Sequence, residues 1–315
     1  MGDINKIDKN DFLSPSEVRE LMNGLGFQSL EIVGINKGFE NEVYDITITP
    51  GEHVILRVRK KGDTEFRQEA WAINEVKKVG APVAQILFVG TVLVKGKETD
   101  VMIQSKMPGL PFEEIHKNIG AEVRGNLLFK MGKILRSIHS ISVEGFGKRL
   151  NGGSWEYKTR EEYMTQFIVD RMNETDLMLD AGLTKSEFDD TIESINIFKD
   201  KYLCESPTLC HGDYMPPHVM IEGEQISGII DFGLFQGNSP FYDVSYFLLC
   251  VPDDYKVEFI RGYLNVGEIK DFNIQLQLES QCILFKHIGR LAHPYRRAKK
   301  EEELAFSVRR LRVLL

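Results

Sequence analysis

Apolar and polar residues alternate along the first hundred residues in short runs that are separated by turn signals. Runs rich in β-branched residues predict strands, and Pro50-Gly51 predicts a tight turn between two of them. A longer run has apolar residues at helical spacing and ends before Gly80. The predicted strands are 30–35, 43–49, 53–58, 86–94 and 100–104, and the predicted helix is 63–79. This pattern is typical of a small antiparallel sheet with one helix inserted.

The period of the apolar residues changes near residue 105, and the rest of the chain is mostly helical. The longest helices are predicted at 122–140, 161–179 and 186–202. A short hairpin with a turn at 222–224 interrupts them, and more helices follow. A strand-rich part followed by a helix-rich part predicts an α+β chain with two lobes, 1–104 and 105–315.

Composition places the chain among ordinary globular proteins. Residues are 42% hydrophobic and 27% charged, and the formal net charge of −8 argues against nucleic acid as the main partner. No apolar run is long enough for a membrane helix, and the polar N-terminus does not match a signal peptide. The four cysteines have no CxxC pairing. We therefore expect a cytoplasmic protein with reduced thiols and with no membrane or nucleic-acid partner.

The candidate chemistry lies in the segment HGDYMPPH at 211–218 and in the DFG at 231–233. A phosphoryl-transfer site needs one carboxylate beside the acceptor hydroxyl and two groups that bind the Mg²⁺ on the nucleotide phosphates. Asp213, His218 and Asp231 offer these groups in the required order. Either motif alone is weak, but the two at this separation indicate such a site. We expect Asp243 to hold this loop by hydrogen bonds, to cap the helix that follows, or to do both.

The segment from 209 to 246 resembles the aminoglycoside phosphotransferase family, and the resemblance extends over nearly the whole chain. It implies the two-lobed protein-kinase-like fold, with a small antiparallel-sheet N-terminal lobe and a mostly helical C-terminal lobe. It also implies Asp213 as the catalytic residue, Mg²⁺ as the metal and ATP or GTP as the co-substrate. The implied nucleotide-binding residues are Gly38 and Asn41 in a loop, Arg57 with its acidic partner Glu69, and Ser105 and Met107 in the hinge.

Several of these positions also have ordinary structural explanations. Gly38 would suit a plain hairpin turn, and Glu69 would suit a solvated helix face. Arg57 stands where kinases carry a phosphate-binding lysine, and it supplies the same charge with a bidentate fork. Lys60 and Lys61 are nearby alternatives to Arg57.

His218 departs from most of the resembling family, in which this position is asparagine. A subset that includes aminoglycoside 2″-phosphotransferases and macrolide 2′-phosphotransferases shares the histidine. An imidazole nitrogen binds Mg²⁺ or Mn²⁺ only when it is unprotonated. The resemblance therefore implies His218 and Asp231 as metal ligands. The alternative is that His218 forms hydrogen bonds only, and that Asp231 and water hold the metal.

Acidic residues are concentrated between 156 and 193, where the sequence has eleven Asp or Glu and only four Lys or Arg. An acidic surface raises the local concentration of cations. Together with the resemblance, which implies transfer of the γ-phosphate of a nucleoside triphosphate to a hydroxyl, this surface favours a cationic small molecule, such as an aminoglycoside, as the acceptor. The alternatives are a macrolide or metabolite kinase of the same fold, or a nucleotide-binding pseudokinase. Solvated helix faces would also explain most of these acidic residues.

Overall fold

The computed structural model describes residues 13–28, 30–37, 41–59, 66–201, 206–297 and 299–315. The chain forms two compact units. One consists of Met1–Asn74 and Val83–Pro108, and the other of Glu75–Pro82 and Gly109–Leu315. None of the helices in the described ranges is long and apolar enough to cross a membrane.

A five-stranded antiparallel sheet forms the first unit. Its strands are β1 (Glu31–Lys37), β2 (Asn41–Thr49), β3 (Glu52–Arg59), β4 (Ile86–Val94) and β5 (Lys97–Ser105). They lie in the order β1-β2-β3-β5-β4. The predicted turn between β2 and β3 is present, and Gly51 there has a φ of 83°, which favours glycine.

Two helices cover the two faces of this sheet. Helix α1 (Pro15–Gly24) starts with the predicted capping box of Ser14 and Glu17, and its buried Val18 and Met22 pack in the cluster that contains Ile103. Helix α2 (Phe66–Lys78) places Phe66 against Met102 on the other face. Because side chains alternate along a strand, Ile103 and Met102 of β5 face opposite helices.

Helices dominate the second unit. They are α3 (Phe112–Ile115), α4 (Ala121–Ile138), α5 (Arg160–Asn173), α6 (Thr175–Asp180), α7 (Lys185–Lys201), α8 (Phe241–Cys250), α9 (Asp253–Tyr263), α10 (Phe272–Ala292), α11 (Pro294–Arg297) and α12 (Glu301–Leu314). Helix α10 is central and contacts α5, α6, α7, α8, α11 and α12. Its buried Phe285 and Ile288 pack with Met164 and Phe188 in one core.

The prediction of one helix over 161–179 is wrong, since the structure has two helices there, α5 and α6, divided at Glu174. Arg171 and Glu174 form an ion pair at the break, with 2.9 Å between Nη2 and Oε2. A Cβ atom at position 289 of α10 would overlap the Glu174 carboxylate, so that Gly289 makes room for it. The break therefore coincides with a tertiary contact between Glu174 and α10.

Short strands frame the candidate loop in the second unit. They are β6 (Leu110–Pro111), β7 (Phe146–Arg149), β8 (Trp155–Tyr157), β9 (Thr208–Cys210), β10 (Val219–Glu222), β11 (Gln225–Ile229) and β12 (Gln236–Asn238). One sheet has the order β11-β10-β6 and the other β8-β7-β12-β9. The predicted hairpin is β10–β11. The loop 211–218 therefore connects the two small sheets, and Asp231 follows the hairpin.

Candidate active site

Asp243 fixes the loop that follows β9. Its carboxylate accepts hydrogen bonds from the main-chain N–H of His211, at 2.6 Å, and of Gly212, at 2.9 Å. Asp243 is buried in the first turn of α8, and the N-cap residue of that helix is Pro240, which makes no side-chain capping bond. Loop-holding by Asp243 is therefore confirmed, and the alternative of helix capping is wrong.

Gly212 permits the sharp turn that presents the next residue. Its φ is 83°, and a Cβ atom there would overlap the carbonyl oxygen of Leu234. A larger residue would meet both backbone strain and a main-chain clash, and neither is relieved by rotating a side chain. The turn places Asp213 at the surface of the loop with its side chain about one-fifth exposed, at 20%.

His211 joins the loop to the end of the hairpin. Its Nε2–H donates to the carbonyl oxygen of Ile230, at 3.0 Å, and its Nδ1 accepts from the main-chain N–H of Asp213, at 3.2 Å. A ring with one donor and one acceptor nitrogen is the neutral form. Burial lowers the pKa of His211, which agrees with that assignment.

His218 brings the two carboxylates of the motif together. Its Nδ1 lies 2.8 Å from the carbonyl oxygen of Asp213, which can only accept, so Nδ1 carries the proton. In the neutral ring the lone pair is then on Nε2, which lies 3.7 Å from Oδ2 of Asp231. Nδ1 is also 3.5 Å from Oδ2 of Asp213. Asp213, His218 and Asp231 therefore form one compact group.

The donor set of this group fits a divalent cation. An unprotonated imidazole nitrogen and a carboxylate oxygen are both ligands of divalent metals. Adjacent ligands of an octahedral Mg²⁺ lie about 3 Å apart, because each metal–ligand distance is about 2.1 Å. The distance of 3.7 Å between His218 and Asp231 needs only a small side-chain rotation to reach that value. Asp231 is half exposed, at 50%, so that solvent and a substrate have access to it.

Asp231 adopts a backbone conformation that is unusual for a residue with a side chain. Its φ is 65° and its ψ is 66°, in the left-handed region. Strained conformations of this kind concentrate at functional sites, where the surrounding structure imposes them. Here the main-chain N–H of the preceding Ile230 donates to the carbonyl oxygen of His218, at 3.0 Å, which ties the strained residue to the loop.

In the first unit, Arg57 of β3 and Glu69 of α2 form a buried ion pair. The guanidinium of Arg57 also lies over the ring of Phe66, 5.2 Å from its centroid. Glu69 is therefore a buried partner of Arg57, and the alternative of a solvated helix charge is wrong for this residue. A buried guanidinium fixed on both sides has a defined direction, as phosphate binding requires.

Of the other nucleotide-binding candidates the structure describes three, and two of them lie at the ends of strands. Asn41 is buried at the start of β2, and Gly38 lies outside the described residues. Ser105 ends β5, where its N–H donates to the carbonyl oxygen of Gln85 and its hydroxyl accepts from the N–H of Gln85, both at 2.9 Å. Met107 lies two residues after Ser105, and it makes no main-chain hydrogen bond with another described residue.

Sequence reasoning missed the buried residues that support Asp243. His139 donates from Nε2 to Oδ2 of Asp243, at 3.1 Å, and accepts at Nδ1 from the hydroxyl of Tyr263, at 2.8 Å. Cys210 lies near the side chains of His139 and Asp243, and its thiol donates to the carbonyl oxygen of Ser239, at 3.3 Å. These bonds occupy the groups that a metal would need, so this cluster is structural. Tyr263 is far from His139 in sequence, and no local pattern signals their contact.

The acidic residues between 156 and 193 are mostly exposed and bonded locally. Glu162 belongs to the capping box of α5, Glu187 binds Arg312, and Asp189 pairs with Lys185. These contacts favour solvated helix faces for most of the group. The region still gives the second unit an anionic surface, because nine of its eleven acidic residues are exposed.

Comparison with known proteins gives consistent results. The model of the phosphotransferase enzyme family matches residues 31–273. An aminoglycoside 3′-phosphotransferase from Niallia circulans is 30% identical over 123 residues, which are 38% of this chain and 43% of that protein. The chain thus aligns with less than half the length of this curated relative.

Solved structures show the same fold. A crystal structure of the aminoglycoside phosphotransferase APH(4)-Ia has a TM-score of 0.75 at 13% identity, covering 96% of this chain and 98% of that one. An ADP-bound aminoglycoside phosphotransferase APH(2'')-Ib has a TM-score of 0.61 at 17% identity, covering 95% and 97%. The predicted α+β kinase-like fold is therefore confirmed.

Proposed function

We propose that this chain, which belongs to the phosphotransferase enzyme family, is a kinase that transfers the γ-phosphoryl group of a nucleoside triphosphate to a hydroxyl of a small molecule. The family match over residues 31–273 confirms the family predicted from the sequence. The activity itself is our proposal. Its main support is that Asp213 and His218, on a loop held by buried hydrogen bonds, form a single group with Asp231.

Asp213 is the proposed catalytic residue. Its carboxylate accepts a hydrogen bond from the acceptor hydroxyl and directs that oxygen at the γ-phosphorus. The new O–P bond forms as the bond from phosphorus to the bridging oxygen breaks, the hydroxyl proton passes to Asp213, and the nucleoside diphosphate leaves. The hydrogen bonds from His211 and Gly212 to Asp243 fix the loop on either side of this step.

His218 and Asp231 are the residues that would hold Mg²⁺. When bound, the cation neutralises charge on the nucleotide phosphates. Within the proposal, the hydrogen bond from Nδ1 of His218 to the Asp213 carbonyl selects the tautomer of the neutral ring that leaves the lone pair on Nε2 for the metal. Arg57, fixed by Glu69, would bind phosphate oxygens. The backbone around Gly38 and Asn41 would also bind the phosphates, and the segment 105–107 would bind the base.

An aminoglycoside is the acceptor that we propose to test first. The curated relative is named an aminoglycoside 3′-phosphotransferase, and solved structures with this fold include a ternary complex with ADP and hygromycin B and a gentamicin complex. The exposed acidic surface of the second unit suits a cationic ligand. Action in the cytoplasm is part of the proposal, and the buried thiols of Cys210 and Cys282 suit a reducing compartment.

The test is nucleotide consumption by the purified protein with ATP or GTP and Mg²⁺, against aminoglycosides, macrolides and common metabolites. Asp213→Asn serves as the blank, and ³¹P NMR of the product identifies the phosphorylated hydroxyl. We expect acceptor-dependent consumption with at least one aminoglycoside. Nucleotide consumption with a macrolide or a metabolite instead would correct the acceptor class. If no acceptor in the panel leads to nucleotide consumption, the result would favour a pseudokinase.

A further inference from the structure

Helix α8 presents one stripe of side chains to the loop that carries Asp213. Asp243, Tyr246 and Cys250 follow one another at spacings of three and four residues, so they lie on one face of the helix. Asp243 holds the main chain of the loop, and Cys250 lies near the carboxylate of Asp213. Tyr246 stands between them on this face and therefore faces the residue that the loop presents.

The phenol hydroxyl of Tyr246 lies within hydrogen-bonding reach of the carboxylate of Asp213. Burial, and after it the negative charge of Asp213, raises the pKa of this phenol above its usual range. The hydroxyl is therefore protonated at neutral pH, whereas an ionised carboxylate can only accept. Tyr246 is thus the donor of this bond and Asp213 the acceptor.

The ring of Tyr246 is supported by its neighbour on α8. Tyr242 stacks on it from one turn earlier, with 6.4 Å between the ring centroids and an angle of 8° between the ring planes. The hydroxyl of Tyr242 makes its own hydrogen bond with the side chain of Gln236, a buried residue of β12. The hydroxyl of Tyr246 is therefore presented to Asp213 from a ring whose direction is set by packing.

Another donor close to the Asp213 carboxylate is already used elsewhere. Nδ1 of His218 lies 3.5 Å from Oδ2 of Asp213, but its proton is donated to the carbonyl oxygen of the same residue, at 2.8 Å. The hydroxyl of Tyr246 is available to fix the direction of the carboxylate. A carboxylate has about four lone-pair positions, so one bond from Tyr246 leaves room for the acceptor hydroxyl.

We propose that Tyr246 is a positioning residue, whose hydroxyl holds the Asp213 carboxylate in the direction that the acceptor hydroxyl needs. The inference rests on the proposed kinase function and adds a residue from outside the two motifs, 211–218 and 231–233. Phosphoryl transfer depends on in-line geometry, and a small displacement of the reacting groups slows it. The bond from Tyr246 limits the rotations that are otherwise open to a partly exposed aspartate.

The first test is single-turnover phosphoryl transfer by the full chain, with ATP or GTP in Mg²⁺ buffer and the panel acceptor that wild type phosphorylates, gentamicin first. Tyr246→Phe keeps the stacked ring and removes the hydroxyl. Its transfer rate should fall about tenfold, near the lower end for a hydrogen bond to a charged group. Nucleotide affinity and the acceptor KM should stay within about twofold, because the lost bond acts on the reacting step. Tyr242→Phe, which removes the hydroxyl bonded to Gln236, is the matched control and should transfer as wild type.

The Asp213→Asn background separates positioning from a structural role. If Tyr246 acts through the carboxylate, Tyr246→Phe should change the residual transfer of Asp213→Asn by less than about twofold, since residues that act as a unit are not additive. The same tenfold loss in both backgrounds would overturn the inference. A lower unfolding temperature of Tyr246→Phe together with weaker nucleotide binding would also overturn it.

A second measurement needs no acceptor. In an NMR spectrum of the full chain labelled with ¹³Cζ-tyrosine, the resonance that is missing from Tyr246→Phe belongs to Tyr246. It should move in Asp213→Asn, and by more than the resonance of Tyr242, because the phenol then faces a neutral partner. An unmoved resonance would refute the contact, and it would leave the kinase proposal intact.

Failure of the inference and failure of the proposed function are distinguishable. Equal transfer by wild type and Tyr246→Phe would refute the positioning role alone. If the resonance of Tyr246 moves as expected but wild type phosphorylates no acceptor in the panel, the proposed function fails and the positioning role fails with it.

Discussion

The two groups of proposed site residues are held in different ways. In the second unit, the loop with Asp213 is held by main-chain N–H groups of His211 and Gly212 that donate to buried Asp243. The Asp213 carboxylate, for which we propose the catalytic role, makes neither of these two bonds. In the first unit, Arg57 is held through its own side chain by Glu69. We therefore expect that Asp213 can be replaced without loss of the loop, whereas replacement of Glu69 should disturb the orientation of Arg57.

Asp243→Ala should have the largest effect. It removes the carboxylate that holds the loop and leaves the buried N–H groups of His211 and Gly212 without an acceptor. The free energy of unfolding should fall by about 3 kcal/mol or more, and phosphoryl transfer should be lost. Chemical denaturation measures the first quantity. Asp253→Ala is the control, since that side chain is 95% exposed. A loss below about 1 kcal/mol would show that the loop does not depend on Asp243.

Gly212→Ala should be the next most damaging change. It combines a φ of 83° with overlap between the new methyl group and the Leu234 carbonyl. Gly223→Ala separates the two causes, because Gly223 has a φ of 60° but no atom within 4 Å of a built Cβ. We expect about 1 kcal/mol of destabilisation at Gly223 and at least about 2 kcal/mol at Gly212. Equal values from denaturation curves would mean that the turn is not tightly packed.

Glu69→Gln tests the side-chain-held group. Loss of the carboxylate leaves Arg57 with a weaker neutral partner, so nucleoside triphosphate affinity should fall about tenfold through loss of orientation. In Arg57→Lys the affinity for the nucleoside triphosphate should fall by a similar factor, because lysine keeps the charge and loses the bidentate fork. Titration with a non-hydrolysable triphosphate checks both. Unchanged affinity in Glu69→Gln would show that Arg57 does not need its partner.

The smallest effect concerns Glu187 and Arg312 at the surface of the second unit. The hydrogen bond from Arg312 holds the pKa of Glu187 at about 2, below its ordinary value of 4.5. The pair's contribution is therefore present above about pH 4.5 and is lost as the pH falls toward 2, because the unfolded chain then binds the extra proton. Since the pair is exposed, we expect about 0.2–1 kcal/mol. Arg312→Ala should flatten the stability profile over that interval, whereas Glu193→Gln should leave it unchanged.

The sequence could predict what depends on local spacing. The alternation of apolar residues predicted the sheet of the first unit and the hairpin β10–β11, and the order of Asp213, His218 and Asp231 predicted a shared site. Long-range packing was not predictable. The break at Glu174 coincides with a contact to Gly289 of α10. The support of Asp243 by His139 and Tyr263 likewise joins parts of the chain with no common pattern.

The burial of Gln104 belongs to the same class of unpredictable features. Glutamine near the end of a strand carries no signal of burial, and only the packing of β3, β4 and β5 shows that the residue is enclosed. The buried pair of Arg57 and Glu69 was predicted only through the resemblance, because locally Glu69 has the pattern of an exposed helix charge.

The most direct test of the account is a comparison of wild type and Asp213→Asn in one preparation, with single-turnover phosphoryl transfer and nucleotide affinity measured together. Because the loop is held by Asp243, the substitution should leave nucleotide affinity within about twofold while transfer falls about 10²- to 10⁴-fold, the range for a lost general base. Transfer near the wild-type rate would contradict the assignment of Asp213, and a joint loss of binding and transfer would contradict the separation of reacting residue and support.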